Sequence, residues 1–429
     1  MSDVFTETLA HGESKRRFLM DFSLPYTEEQ EQFRKEVRSW LEENIPEEMK
    51  DPIDNRDRTS AMYDWWKDKR KEIGAKGWLY PTFPTEYGGG GLTGDHETII
   101  DEEFSRAGVS GIIFTPNFIF PALLVWGTEE QKERFLKPLV TGEQTCWYKM
   151  TEPQSGADLA NIQTTAVRDG DDWVITGQNV FISGGTGPDK PDWLYGPAVT
   201  DPDAPRHRNM GIFMIPVPSE GLEIRQMNLL VGDEQHFLFL DKVRVPNSNL
   251  IGGEHQGWQV GSTSRENEHG GRGRAFPRDA VVDNLVVYAK ETTQNGGNLG
   301  KDPVVQQDTM DSYLDAHVQG LLLKRTYGMY TTRQEVVYEG NLANVHGRES
   351  SLRVASRVRD VMNMSSLLDT KEPGAPHGGA QEGNQRSKAG QNHAGGSTNI
   401  IKVILARRIG ISRTKERPAV TPATAGISG

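Results

Sequence analysis

Helices, then strands, then helices again: read in that order, the sequence predicts an α+β chain. Three observations carry this. Up to about residue 146 apolar residues recur at the three-to-four spacing of amphipathic helices; between Ile162 and Val245 short runs of β-formers alternate with turn signals; after Gly252 the helical spacing returns. With 429 residues the chain is long enough to bury one large core or two to three modest ones.

The first helix opens at Thr27-x-x-Gln30, a capping box, carries Phe33, Val37, Trp40 and Leu41 on one face, and stops at Ile45-Pro46. A second helical run spans 95–106 and ends at Gly108. A third opens on the capping box Thr128-Glu129-Glu130-Gln131 before Phe135, Leu136 and Leu139. Strand runs are expected at 164–167 and 173–176, separated by Arg168-Asp169-Gly170-Asp171, and then at 211–217 and 237–245. Helices follow at 279–293, 304–339, 350–368 and 398–410. The expected organisation is an N-terminal helical domain (20–146), a middle β domain (147–252), a C-terminal helical domain (253–413) and a flexible tail (414–429). The segment 371–397, dense in Gly, Pro, Gln, Asn and Ser, is expected to be mobile unless a ligand or another subunit orders it.

Composition narrows the function. The formal charge is 48 − 60 = −12, which argues against nucleic-acid or polybasic membrane binding, because phosphate recognition needs concentrated Lys and Arg. One cysteine, Cys146, cannot form an internal disulfide, and no Cys/His cluster has metal-ligand spacing, so no metal is expected and a cytoplasmic location is the default. No stretch reaches the roughly 18 apolar residues that span a bilayer, so membrane insertion is not expected.

The chemistry concentrates in Trp147-Tyr148-Lys149-Met150-Thr151-Glu152-Pro153-Gln154-Ser155-Gly156-Ala157-Asp158, followed 23 residues after Asp158 by Phe181-Ile182-Ser183. A flavin gains negative charge at its pyrimidine end on reduction and needs fixed donors there, together with a flat apolar wall against one ring face. Thr151, Ser183 and the backbone N–H groups near Met150 and Thr151 are candidate donors, and Phe181 is a candidate wall.

The same phrase resembles the aromatic-x-x-Thr-Glu-Pro-x-x-Gly-Ser/Ala-Asp signature of the acyl-CoA dehydrogenases. Four more phrases in order resemble that family: Gly77-Trp78-Leu79-Tyr80-Pro81 with Glu86-Tyr87-Gly88-Gly89; Trp126 to Lys132; Asp241 to Pro246; and Gly395-Gly396-Ser397-Thr398-Asn399-Ile400 leading to Ala406-Arg407-Arg408. The resemblance covers 24–413. It implies an N-terminal helical domain, a central β-barrel-like domain and a C-terminal helical bundle, with FAD as cofactor and an acyl-CoA thioester oxidised to its trans-2-enoyl-CoA. By this resemblance Tyr148, Met150, Thr151, Gly156 and Ala157 line the flavin ring, while Phe181 and Ser183 stand where the family more often has Trp and Thr. It also implies an electron-transfer flavoprotein as electron acceptor and a homo- or hetero-oligomer, dimer or tetramer.

Alpha-proton abstraction needs a carboxylate and a polarised carbonyl. Many family members place a Glu where this chain has Gly395, so here only the Gly395 main-chain N–H is left for the carbonyl. Alignment with the isovaleryl-CoA and long-chain members places the base at Glu268. Glu266 is the competitor, but residues two apart on a helix project about 200° from each other, so both cannot face one flavin edge. His269 replaces the usual Arg after this Glu. The coenzyme A contacts are therefore assigned to His269 and Arg272, with Arg265, Arg274 and Arg278 nearby. Thr292 falls where the family commonly carries an Arg that reaches a neighbouring subunit's FAD, and Gln307 is the remaining cross-subunit contact. These losses resemble actinobacterial steroid- and bulky-acyl-type dehydrogenases that form heterotetramers. Two alternatives stay open: a non-catalytic or FAD-site-completing subunit, and a flavin oxidase or monooxygenase on the same fold. The glycine clusters at Gly88 to Gly91 and Gly184 to Gly187 do not form a Gly-x-Gly-x-x-Gly site after a strand, and no phosphate-loop or Gly-x-Ser-x-Gly motif is present.

Overall fold

A computed structural model describes residues 26–52, 57–109, 119–184, 190–230, 235–268, 279–294, 296–331, 334–388, 390 and 396–412; for 265–268 and 330–331 it describes the backbone only. The N-terminal helices are α1 (Glu28–Asn44), α2 (Ser60–Ala75), α3 (Gly94–Arg106), α4 (Phe120–Trp126), α5 (Glu129–Gln131) and α6 (Lys137–Val140), with a π-helical turn at Lys132–Leu136 joining the last two. Both expected capping boxes form: Thr27 accepts from the Gln30 N–H, Thr128 from the Gln131 N–H, and each Gln side chain returns the bond. Helix α2, absent from the expected elements, starts at a Thr59 cap and buries Met62, Trp66 and Ile73.

One buried carboxylate ties this layer together. Glu103 on α3 is 1% exposed and takes hydrogen bonds from Arg38 Nε (2.9 Å) and Nη2 (2.8 Å), Arg106 Nε (2.7 Å) and Arg34 Nη1 (3.2 Å). Burial pushes its pKa up, but the bonds from the three guanidiniums outweigh that and hold it at about 2.

The middle of the chain is a sheet built from β1 (Cys146–Tyr148), β2 (Thr165–Asp169), β3 (Asp172–Ser183), β4 (Trp193–Val199), β5 (Met210–Pro216), β6 (Leu222–Gln226), β7 (Gln235–Pro246) and β8 (Leu250–Ile251). Its order is β6-β7-β3-β2-β4-β5-β8, with β1 also beside β4. Both β1 and β2 run parallel to β4 along the same edge; the other pairings are antiparallel. Trp173, Ile175, Ile182, Leu194, Phe213 and Val243 fill one side, while Tyr195, Ile212 and Met214 join α4 and the π turn on the other. Cys146 is fully buried there.

The last third holds α7 (Gly257–Glu268), α8 (Ala280–Glu291), a short ribbon of β9 (Thr293–Gln294) and β10 (Gly297–Asn298), α9 (Pro303–Thr331), α10 (Glu339–Met362), α11 (Ala380–Lys388) and α12 (Thr398–Arg408). Two expectations are corrected. The expected helices at 304–339 and 350–368 are divided elsewhere: α9 ends at Thr331, and α10 runs unbroken from Glu339. The buried Glu339 carboxylate fixes the break, accepting the N–H groups of Val337 and Tyr338 (3.1 Å each) and the Arg325 guanidinium (3.4 Å). Asn363, with φ 51°, then ends α10 at Met362. The polar segment 371–397, expected to be mobile, folds in part as α11. Arg386 there grips Glu382 (2.8 and 2.7 Å) and reaches the Leu230 carbonyl (3.4 Å), and Gln381 is buried. Tyr327 on α9 donates to Asp95 at the start of α3 (2.5 Å), joining the two helical layers. Among the described residues no helix is long and apolar enough to cross a membrane. The tail 414–429 lies outside the described residues.

Candidate functional site

The expected flavin residues of the phrase meet those of β3 through backbone hydrogen bonds. Strand β1 carries Tyr148, and its line continues as the Lys149 N–H donates to the Tyr195 carbonyl (2.8 Å). The chain then turns. Glu152 and Ser155 exchange N–H···O bonds of 3.1 and 3.0 Å around Pro153-Gln154, and Ser155 Oγ closes on the Asp158 carbonyl (2.7 Å). Before that turn, the Thr151 carbonyl accepts from the Val180 N–H (2.9 Å) and from Asn179 Nδ2 (3.3 Å), which lays Thr151 alongside β3.

Strand β3 is irregular where it matters. Pairing with β7 steps from Asn179↔Leu238 to Ile182↔His236, so three residues advance on one strand against two on the other. That is a β-bulge, and within it Phe181 sits at φ 59°, a left-handed conformation that costs a non-glycine residue energy. The strain re-aims the side chain. Ile182 is buried, whereas Phe181 is 53% exposed with Ser183 exposed beside it. A strained backbone that turns a large aromatic ring outward, next to one hydroxyl on its own strand and another at Thr151, is an arrangement for a flat polar ligand.

Behind the ring wall, Trp147 lies against the buried His236 imidazole, centroids 4.5 Å apart. Burial lowers the His236 pKa, with its bond to the Ile182 carbonyl opposing. The Gly184 backbone approaches Trp147 so closely that a Cβ there would stand 2.4 Å from the indole.

Helix α7 packs on α4, β4 and β5, beside the phrase rather than on it. Tyr148 stacks on Tyr195 (centroids 5.9 Å, 23°), whose hydroxyl shares a hydrogen bond with Ser264 Oγ (3.1 Å), and Trp126 Nε1 donates to Thr263 Oγ1 (3.1 Å). Ser264 is fully buried. Glu268, the last residue of α7, is four positions beyond Ser264 and so shares its helix face; Glu266 lies about 200° round from both.

The remaining expected residues divide. Met150 is buried, Thr151 half-buried, and Gly156 and Ala157 are exposed, with open space where a Gly156 Cβ would be. Gln307 is exposed on α9 and donates to Asp311 (2.9 Å). Gly395, His269 and Arg272 lie outside the described residues, as do the side chains of Glu266 and Glu268. Thr292 caps the end of α8 through its N–H to the Tyr288 carbonyl. A cleft of about 510 Å³ is lined by Glu152 and Gln154 of the phrase together with Gln163, Gln178 and Asp241, and includes none of the residues expected to line the flavin ring. No group of metal ligands is present among the described residues.

Sequence reasoning passed over Lys149 and Glu152. Lys149 is fully buried and its ammonium donates to the Pro197 carbonyl (2.8 Å); burial pulls its pKa down to about 8, partly opposed by the Glu152 charge. Glu152, 2% exposed, accepts the N–H groups of Gln163 (2.5 Å) and Thr164 (3.0 Å). The signal was available: an ionisable residue inside Cys-Trp-Tyr-Lys-Met is out of place in an apolar run.

The residues present fit FAD: an exposed aromatic wall, hydroxyls at Thr151 and Ser183, and an uncrowded glycine. Three family models match the chain in order: acyl-CoA dehydrogenase N-terminal domain over 27–143, middle domain over 148–243 and C-terminal domain over 257–410. Among curated relatives, the acyl-CoA dehydrogenase FadE26 of Mycobacterium tuberculosis is 26% identical over 393 residues, covering 89% of this chain and 96% of its own length. IpdE1 of Mycolicibacterium smegmatis, also named an acyl-CoA dehydrogenase, is 28% identical over 358 residues, 79% of this chain and 88% of its own. Among solved structures, the ChsE4-ChsE5 complex from Mycobacterium tuberculosis superposes with a TM-score of 0.79 at 25% identity, covering 92% of this chain and all (100%) of the matched one. The Tcur3481-Tcur3483 steroid ACAD gives 0.77 at 26%, with the same coverages of 92% and 100%.

Proposed function

We propose, from the premise that this chain belongs to the acyl-CoA dehydrogenase family and is an oxidoreductase with FAD as its cofactor, that it oxidises an acyl-CoA thioester to the trans-2-enoyl-CoA. The observation that carries the reading is the bulge at Phe181. The chain holds a strained backbone there in order to present a bare aromatic face beside Ser183 and Thr151. FAD, when bound, would supply the acceptor for a hydride from the substrate's β-carbon.

Thr151, Ser183 and the N–H groups around Met150 supply donors to the ring's pyrimidine end, while Tyr148, Gly156 and Ala157 complete the cradle. Glu268 takes the α-proton. Its support is positional: it falls on the face of α7 that Ser264 turns toward Tyr195, the ring on which Tyr148 stacks, and Glu266 does not. The Gly395 N–H polarises the thioester carbonyl, and His269 and Arg272 meet the coenzyme A phosphates. Electrons leave to an electron-transfer flavoprotein.

Assembly with another subunit belongs to the same reading. Met310, Leu314, Val318 and Leu321 form an exposed apolar ridge along α9, with Gln307 at its start. Two similar structures carry two-component names. A second reading, a chain whose FAD site is completed by a different subunit, is favoured by Thr292 in place of the expected arginine.

The test is the visible spectrum of the purified protein, before and after anaerobic acyl-CoA. Flavin that bleaches in wild type and not in Glu268→Gln is the expected outcome. Bleaching preserved in the variant overturns Glu268 as base, and a colourless chain that turns yellow only with a second subunit selects the second reading.

A further inference from the structure

Strand β4 has a break in its neighbours, and the flavin phrase fills it. On one edge β4 pairs with β1 as far as Tyr148↔Tyr195 and resumes with β2 at Thr165↔Val199. The last bond before the break runs from the Lys149 N–H to the Tyr195 carbonyl (2.8 Å); the first after it runs from the Val199 N–H to the Thr164 carbonyl (2.8 Å). Along a strand every second residue directs its backbone groups to the same edge, so the groups left over in the gap belong to Pro197. Proline has no N–H to leave unmet, which explains how it is tolerated inside a sheet. Its carbonyl remains, and the Lys149 ammonium takes it at 2.8 Å.

The facing side of the gap has the opposite shortage. Gln163 and Thr164 approach β2 with N–H groups that no strand meets, and the two oxygens of Glu152 accept them at 2.5 and 3.0 Å. A cationic donor thus serves a lone carbonyl and an anionic acceptor serves two lone N–H groups; Lys149, Glu152, Thr164 and Pro197 are buried, where unmet backbone groups are costly, while Gln163 is exposed. Gly196 is part of the device, since a Cβ there would stand 1.9 Å from the Lys149 carbonyl oxygen.

We infer that Lys149 and Glu152 are positioning residues for the flavin: standing in for strand hydrogen bonds, they let 150–158 leave the sheet as a turn while anchoring both sides of Thr151. This rests on the flavin reading above. Lys149 directly follows Tyr148 and precedes Met150, and Glu152 directly follows Thr151, so any slack at either anchor moves the donors expected to meet the ring.

The holoenzyme is compared as wild type, Lys149→Met and Lys149→Gln, reading the FAD dissociation constant, the visible band of the bound flavin and the melting temperature of the FAD-free protein. Lys149→Met is expected to bind FAD about tenfold more weakly with a displaced band, and Lys149→Gln, which keeps a donor for Pro197, to recover most of both. Melting of the FAD-free protein falls in Lys149→Met, because the buried Pro197 carbonyl loses its donor, and stays near wild type in Lys149→Gln. Wild-type affinity and band in Lys149→Met overturn the role given to Lys149. Should that variant fail to fold, Glu152→Gln decides. Weaker FAD binding with faster amide exchange at Gln163 and Thr164 supports the inference; unchanged values of both overturn it. A wild-type protein that binds no FAD, alone or with a partner subunit, overturns the flavin reading itself.

Discussion

Glu103 and Lys149 are both charged, both buried, and held in opposite ways. Glu103 is surrounded by three arginines that hold its carboxylate ionised with a pKa of about 2, despite burial. Lys149 has a carbonyl for a partner, and its pKa has slid down to about 8. The first arrangement binds helices α1 and α3 to each other through charge. The second gains little from its charge and a good deal from the direction of its N–H bond. A buried ion is thus used in one region for cohesion and in the other for placement.

Removing the charges separates the two uses. Glu103→Leu leaves three guanidiniums around an apolar side chain and is expected to lower unfolding free energy by about 3–5 kcal/mol, measured by denaturant titration. Lys149→Met in the same assay is expected to cost less, about 1–3 kcal/mol, because one buried carbonyl loses its donor. Equal losses at the two positions would erase the distinction.

Acid and alkali sharpen it further. Glutamate in the unfolded chain protonates near 4.5 and Glu103 in the folded chain near 2, so between those values the unfolded chain binds more protons and stability falls as pH falls. For Lys149 the folded value of about 8 lies below the unfolded 10.5, so the unfolded chain again binds more protons and this group's contribution to stability rises from pH 8 to 10.5. Melting curves across that alkaline window should rise less steeply, or fall more, in Lys149→Met than in wild type; parallel curves would mean that Lys149 is not charged and buried as described.

The smallest effect on folding belongs to Phe181. Half-exposed, it contributes little to the core, so Phe181→Ala should change stability by no more than about 0.5 kcal/mol. The same variant should weaken FAD binding by roughly 3- to 10-fold through loss of one aromatic contact, read by fluorescence titration.

Local chemistry was legible in the sequence, and long-range geometry was not. The boxes at Thr27 and Thr128 form because they need only three residues of chain. Helix α2 had a signal in Met62, Trp66 and Ile73 behind Thr59, and its dense charge masked it. The end of α9 depended on Arg325 meeting Glu339 across 14 residues, and α11 on Arg386 reaching Leu230 across 156, neither visible in a window of sequence. At the site, the phrase itself put Tyr148, Met150 and Thr151 forward as candidates. The outward turn of Phe181 required the register of β7, and the burial of Lys149 required a proline 48 residues away.

The single thiol carries a practical consequence. Cys146 stands in β1 at the root of the flavin phrase, fully buried, with burial pushing its pKa well above the usual thiol range. An alkylating reagent reaches it only while the packing of β1 against β4 and the N-terminal helices opens, and this sequence has no other sulfhydryl to compete. The protein therefore carries its own stopwatch: the labelling rate of one native atom counts how often the core around β1 opens, and any slowing of that rate when FAD is added would measure how firmly the cofactor holds it shut.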